Sequence, residues 1–372
     1  MNTRLRAAMD DRGLDALIAY SKENVAYGLG YTIPSQALGV RNRQFALVVN
    51  RDGEAALLLT SNEMTEARER SAVRALRPYD EFNEDPMQVL ASILAELGVA
   101  GGRVGVEMDA MPADRWEALK RTAPGARLEP AGRAFEQARM IKSPAELERL
   151  RAACAVADIA QAEAHAQVRE GMTEQDVYRI IVDRALAHGA DEVLLVQVAA
   201  GERSAFSNPA PSTRKLRRGD VVKIDTFVSV GGYLSDTGRA VVVGEASARQ
   251  RDIWRRMQET LAEVENFIRP GVTAREVWET FVDSFARRDM RPAIRFLGHG
   301  LGLSLHEEPF VAAHSDTVLE AGMVLAVEPI FEADGVGYHL EDNLIVTDLG
   351  VENMTSQFGP DLITVGNGAN RT

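Results

Sequence analysis

Two of the chain's six histidines, His299 and His306, stand seven residues apart in LGHGLGLSLHEEP, residues 297–309, among three glycines and four leucines. Imidazole binds metal as the neutral ring and carries protons near neutral pH. Glycine lets the backbone bend sharply and approach another group closely. Acids recur nearby inside strand-like sequence. VVKIDTFVSVGGYLSDTGRAVVV reads as a hairpin turning at Gly231-Gly232, which places Asp225 opposite Gly238 and Asp236 two residues along on the same face. That diagonal is about 7–8 Å, within reach of converging side chains. MVLAVEPIFEADGVGYHLEDNLIVT turns at Asp334-Gly335, so Glu328 falls opposite Glu341 with Cβ atoms about 5 Å apart. Ionised carboxylates are costly to bury without compensation. Together the four carry a charge of −4, which two divalent cations would cancel. Oxygen donors with an imidazole suit manganese, cobalt, iron or zinc, and suit a thiolate-type structural zinc poorly.

The elements around these residues repeat. REGMTEQDVYRIIVDRA at 169–185 and RPGVTAREVWETFVDSFA at 269–286 share Arg-x-Gly-x-Thr-x-x-acid-Val at an offset of 100 residues. In each, a threonine N-cap is followed three residues later by a capping acid, Asp176 or Glu276. Strand-rich sequence follows both helices, so the second half reads as a duplicated αβ unit with pseudo-twofold symmetry. A strong helix start precedes it: Ser143 as N-cap, Pro144 at the first helical position and Glu146 closing a capping box, with the helix running to about 168. Upstream, helical spacing ending at Gly13 and Gly98 alternates with short apolar runs near 15–20, 45–50, 55–60 and 103–108, an α/β pattern. The composition change at TAPGARLEPAGRAF suggests a linker. The expected organisation is an N-terminal domain at 1–130, a linker at 131–142 and a second domain at 143–372.

Bulk properties narrow the function. A chain of 372 residues has ample core for two domains. Its net charge of −13 argues against a nucleic-acid partner, which requires a basic footprint. The single cysteine, Cys154, excludes an intramolecular disulfide and thiolate-rich metal sites. No apolar stretch suits a signal peptide or a membrane span, so the cytoplasm is the expected location.

The ordered motifs resemble the pita-bread metallohydrolases: methionine aminopeptidase, aminopeptidase P, prolidase and creatinase. The resemblance covers nearly the whole chain. It rests on RMIKSPAELERLRAAC, GDVVKIDTF with YLSDTGRA, GHGLGLSLHEEP, AGMVLAVEPI and YHLEDNLIVT. It implies a creatinase-like α/β N-terminal domain followed by a pita-bread catalytic domain. By position, Asp225 would chelate one metal, Asp236 and Glu341 would bridge, and His299 and Glu328 would hold the other. His306 would contact substrate or the tetrahedral intermediate. Two divalent ions per chain are implied, manganese first, with cobalt, zinc or iron as alternatives. The long N-terminal segment resembles the prolidase and creatinase branch. A homodimer is implied too, with NVAYGLGYT at 24–32 as the candidate contact.

Two positions depart from the prolidase pattern. SAFSNPAPS places Asn208 where those members have a histidine, and asparagine cannot titrate. HLED places His339 where they have an arginine, and strand alternation points it to the same face as Glu341. The expected chemistry is metal-assisted hydrolysis of a peptide or amide bond, resembling an Xaa-Pro dipeptidase. Glu328 would relay a proton, His306 would stabilise the oxyanion, and His339 would donate the proton that Asn208 cannot. Both departures bear on a second reading, a hydrolase or lyase for a small modified amino acid or compatible solute. A catalytically silent dimeric binding protein is the third, and the retained ligand set weighs against it.

Overall fold

In the computed structural model, which describes residues 3–40, 42–355 and 357–366, the chain forms two compact units, 1–139 and 140–372. Unit one contains α1 (Thr3–Arg12), β1 (Ala16–Ala19), α2 (Lys22–Leu29), β2 (Ala46–Asn50), β3 (Ala55–Thr60) and α3 (Met64–Arg70). It continues through β4 (Ala75–Tyr79), α4 (Pro86–Glu96), β5 (Arg103–Val106), α5 (Ala113–Thr122), β6 (Arg127–Pro130) and α6 (Gly132–Met140). Its six-stranded sheet runs β4-β3-β2-β1-β5-β6. Apolar clusters cover both faces, around Leu17 and Leu57 on one and Ile18 and Leu58 on the other. That is the period-two alternation of a sheet buried on both sides.

Sequence patterning left six elements of this unit out: α2, α3, β4, α5, β6 and α6. β4 (ALRPY) and β6 (RLEP) carry proline and charge, and both lie at the sheet's edges, where proline is tolerated. The stretch expected as a linker is helix α6, because Ala134, Phe135 and Ala138 share one face and bury it in the unit's own core. The segment 24–32, expected to face a second chain, lies mostly in helix α2, capped by Gly30 at a φ of 81°. Its Val25, Leu29 and Tyr31 are committed to the core of their own unit.

Unit two opens with α7 (Pro144–His165), α8 (Glu174–Ala187), β7 (Glu192–Ala200), β8 (Val221–Val230), β9 (Tyr233–Leu234) and β10 (Thr237–Val243). Then come α9 (Ala248–Phe267), α10 (Ala274–Arg287), β11 (Phe296–Gly300), β12 (Glu307–Ala312) and β13 (Val324–Val327). It closes with β14 (Ile330–Ala333), β15 (Val336–His339), β16 (Asp342–Val346), β17 (Val351–Asn353) and β18 (Ile363–Val365). One sheet runs β18-β10-β8-β7 with β9 paired to β8, and a second runs β12-β11-β13-β16-β17. β14 and β15 form a separate two-stranded ribbon.

The capping boxes form at Ser143, Thr173 and Thr273 with Glu146, Asp176 and Glu276. The two repeat threonines also make matching isolated bridges, to Lys215 and to Val318. Duplication is thus visible in the backbone as well as in the motif. Among the described residues, no helix is long and apolar enough to cross a membrane.

Candidate active site

The first hairpin keeps the register that a turn at Gly231-Gly232 dictates, from Val230 opposite Tyr233 through Asp225 opposite Gly238. Asp225 lies within the regular strand β8, whereas Asp236 occupies a break between β9 and β10. Its backbone N–H, out of the ladder, donates to Asn343 Oδ1 at 3.0 Å, and the Asn343 amide donates back to the Asp236 carbonyl. In the second hairpin both arms are interrupted, at Glu328-Pro329 and at Leu340-Glu341, although the pairs on either side hold the expected register. The Glu328 N–H donates to the Leu297 carbonyl at 2.7 Å, and that of Glu341 to the Gly238 carbonyl at 3.0 Å. Each buried backbone donor therefore finds a partner outside its own hairpin, as burial requires.

The histidine segment shows why it is so poor in side-chain bulk. β11 runs between β12 and β13, and a Cβ on Gly298 would lie 2.0 Å from the Ala326 carbonyl oxygen. A Cβ on Gly300 would lie 2.3 Å from that of Glu308. Between these two glycines His299 is fully buried, its Nδ1 3.0 Å from the Gly300 carbonyl. A carbonyl only accepts, so Nδ1 carries the proton and Nε2 presents a lone pair inward. That Nε2 stands 3.5 Å from Asp236 Oδ2 and 3.6 Å from Glu328 Oε1. His306 is exposed and stacks on His299, ring centroids 3.7 Å apart.

His339 is buried and reaches the same acids: Nε2 is 3.4 Å from Glu328 Oε2 and 3.6 Å from Glu341 Oε2, and Nδ1 is 3.8 Å from Asp225 Oδ2. The contact expected from strand alternation is thus present. Asn208 stands at the exposed edge, accepting from Gln197 Nε2 at 3.1 Å, and Gln197 is the β7 neighbour of Asp225. Lys223 donates to the carbonyls of Phe206 and Ser207 and so fixes the loop leading to Asn208.

Donor atoms of Asp225, His339 and Glu341 lie within 4.8 Å of one another, as do those of His299, Glu328 and Glu341 and those of Asp236, His299 and His306. The electrostatics reflect this crowding. Burial, then the Asp236 charge, pushes the Asp225 carboxyl up to about 8. Burial with its carboxylate neighbours drives Glu341 well above the ordinary range, and burial raises Asp236. Burial pulls His299 down, but Asp236 and Glu328 outweigh it and its pKa rises. Among the described residues, Asp225 Oδ1, Asp236 Oδ1, both Glu341 oxygens and His299 Nε2 are buried without a hydrogen-bond partner. Orphaned donors of this density and sign are what a divalent cation satisfies.

Two supporting residues escaped the sequence reading. Asn343 holds Asp236 by two hydrogen bonds and also accepts from Cys154 Sγ at 3.2 Å. Arg239 donates to the Glu341 carbonyl, to Asp342 Oδ1 at 2.6 Å and to the Thr355 carbonyl at 2.8 Å. The available signal was an amide and a guanidinium within otherwise apolar strands.

Residues 148–348 match the model of metallopeptidase family M24, and residues 2–141 match the creatinase/prolidase N-terminal domain. The chain belongs to metallopeptidase family M24. This M24 member is 32% identical over 359 residues to the probable dipeptidase PepE of Mycobacterium tuberculosis, covering 94% of this chain and 92% of that one. It is 27% identical to a creatinase from a Bacillus species, over 97% of this chain and 91% of the relative. Among solved structures, an Xaa-Pro dipeptidase from Bacillus anthracis aligns with a TM-score of 0.85 at 28% identity, covering 98% of both chains. The creatinase-type N-terminal domain and the M24 catalytic domain expected from the motifs are both present. Membership makes the chain a metal-dependent hydrolase of the prolidase type, and divalent ions belong to that chemistry.

Proposed function

We propose that this chain is a dinuclear-metal dipeptidase whose two ions are held by Asp225, Asp236, His299, Glu328 and Glu341. The observation carrying this reading is that Glu341 belongs to two donor groups at once, one with Asp225 and one with His299 and Glu328. A shared carboxylate between two clusters is the arrangement of a bridged pair. The chemistry such ions supply when bound is Lewis acidity towards a carbonyl and water ionised near neutral pH.

The chain's own residues then divide the remaining work. Glu328 is the most exposed of the four carboxylates, at 9%, and is placed to move a proton between the buried centre and a substrate. His306 stands on the open side of His299, where its ring can donate to a developing oxyanion. Asn208 offers an amide for orienting a short substrate beside Gln197 but no ionisable proton. Such a site favours ordinary dipeptides and disfavours Gly-Pro and Ala-Pro, whose turnover in the prolidase pattern uses an imidazole at the Asn208 position.

The same asparagine supports the second reading, a hydrolase or lyase for a small modified amino acid. A relative named creatinase, aligned over 97% of this chain, supports this second reading. One screen separates them: dipeptides with and without proline, cyclic amino acids and N-acyl amino acids, each with Mn(II) or Co(II). Hydrolysis of non-proline dipeptides at kcat/KM of about 10⁴ M⁻¹s⁻¹ or more supports the dipeptidase reading. Turnover confined to the cyclic or N-acyl compounds replaces it with the second. Efficient Gly-Pro cleavage makes Asn208 irrelevant to specificity. A homodimer in the cytoplasm is part of this proposal, and light scattering at micromolar concentration tests the assembly.

A further inference from the structure

His339 lies outside the ligand set that the motifs assign, yet its surroundings are those of a ligand. The residue is 2% exposed, and neither ring nitrogen has a hydrogen-bond partner among the described residues. Three carboxylate oxygens surround it at 3.4, 3.6 and 3.8 Å, from Glu328, Glu341 and Asp225. These distances exceed the usual range for N–H···O hydrogen bonds. A cation held through one ring nitrogen would satisfy both the imidazole and its acids, since one ligand atom each of Asp225, His339 and Glu341 lie within 4.8 Å of one another. His299 shows the same spacing to its own acids, 3.5 and 3.6 Å. The Glu328 carboxylate therefore stands between two imidazoles, Oε1 towards His299 and Oε2 towards His339.

Backbone geometry fixes the ring where it is. His339 ends β15 opposite Ile330, and two residues on the Glu341 N–H is tied to the Gly238 carbonyl. The ring fills the space over Gly238, where a Cβ would lie 2.6 Å from its Cε1. Any larger residue at 238 would displace it.

We propose that His339 is a metal ligand, completing with Asp225 and Glu341 the coordination of one ion while His299, Glu328 and Glu341 serve the other. The proposal rests on the dinuclear centre of the preceding section and goes beyond it. An arginine at this position could not play the part, because a guanidinium stays protonated and offers no lone pair. A ring donating its lone pair to a cation cannot also be the proton donor to a leaving amine through that nitrogen. The second imidazole also moves the centre's preference from manganese towards cobalt or zinc.

The test uses the full chain, stripped by chelator dialysis and titrated with Co(II). Proton NMR of the loaded protein reads one hyperfine-shifted, solvent-exchangeable N–H for each coordinated imidazole. The expected result is two bound Co(II) and two such signals, one lost in His339→Ala and the other in His299→Ala. In His339→Ala one site should lose more than about 100-fold in Co(II) affinity, beyond the roughly 10–100-fold typical of outer partners. Free imidazole, entering the space left by the ring, should restore much of it. Two bound Co(II) with a single N–H signal, and a His339→Ala variant within about 10-fold of wild type, overturns the proposal and leaves the dinuclear reading intact. Less than half an equivalent of Co(II) bound to wild type overturns both. If His339→Ala does not fold, the signal count in wild type decides, with His339→Gln as the variant of similar volume.

Discussion

The two acid-bearing hairpins of the catalytic unit differ in how much of the ladder they give up. The first keeps β8 regular through Asp225 and breaks only at Ser235-Asp236. The second breaks on both arms, and its ends separate into different sheets. The released amides show what the breaks accomplish. That of Asp236 goes to Asn343 in the second repeat, and that of Glu341 goes to Gly238 in the first. Two of the hydrogen bonds that join the halves thus originate at the acids that would hold metal.

The helices before the repeats differ as well. α9 buries Ile253, Trp254, Met257, Leu261 and Val264, an ordinary apolar stripe. α7 buries Cys154, Asp158, Gln161 and His165 among its alanines, and Gln161 donates to the Thr237 carbonyl at 2.7 Å. The polar helix backs the hairpin in which Asp225 and Asp236 lie, so the first copy supports its site with hydrogen bonds where the second relies on packing.

The largest effect is expected at Asp236, one of the acids proposed to hold metal. Asp236→Asn should remove one of two divalent ions by elemental analysis and lower kcat/KM by about 10³-fold or more, the several kcal/mol that metal chemistry contributes. Full activity with two ions retained would mean that the first hairpin is structural.

Next comes the polar face of α7. Burial, partly opposed by the Arg239 charge, raises the Asp158 carboxyl from its ordinary 3.8 to about 6. The folded state therefore holds an extra proton between those values, and stability is lost as pH rises through about 6. Asp158→Asn should melt higher than wild type at pH 8, by up to about 3 kcal/mol, and the gain should shrink towards zero as pH falls to 4. A gain independent of pH would assign the effect to packing instead.

A smaller effect is expected at the joint between repeats. Asn343→Ala leaves the Asp236 amide without its partner and should weaken divalent-ion affinity by about 10–100-fold, as outer partners of ligands do. Isothermal titration of the chelated protein reads this directly. The smallest effect tests the duplication itself: Thr173→Ala and Thr273→Ala remove equivalent capping boxes and should each cost about 1 kcal/mol in urea unfolding. Unequal losses would show that the two copies carry their helices differently.

Much of this was legible in the chain. Ser143, Thr173 and Thr273 announce their helices because an N-cap and its acid interact across three residues. Asp225 opposite Gly238, and the pairs flanking Glu328 and Glu341, follow from glycine-bearing turns, since one turn fixes the register of everything it joins. Helix α6 was hidden by its alanines and glycine, and β4 and β6 by residues that only an edge strand tolerates.

The sequence by itself determined the capped helices α7, α8 and α10 and both hairpin registers, because each depends on residues close along the chain. Only the tertiary structure decided where the broken ladders find partners. Asn343 lies 107 residues from Asp236 and Arg239 lies 103 from Asp342. His339 meets Asp225 only because the second hairpin's ribbon returns over Gly238. Bonds across such separations are set by sheet order and by which buried donors are left over, and no local pattern encodes either.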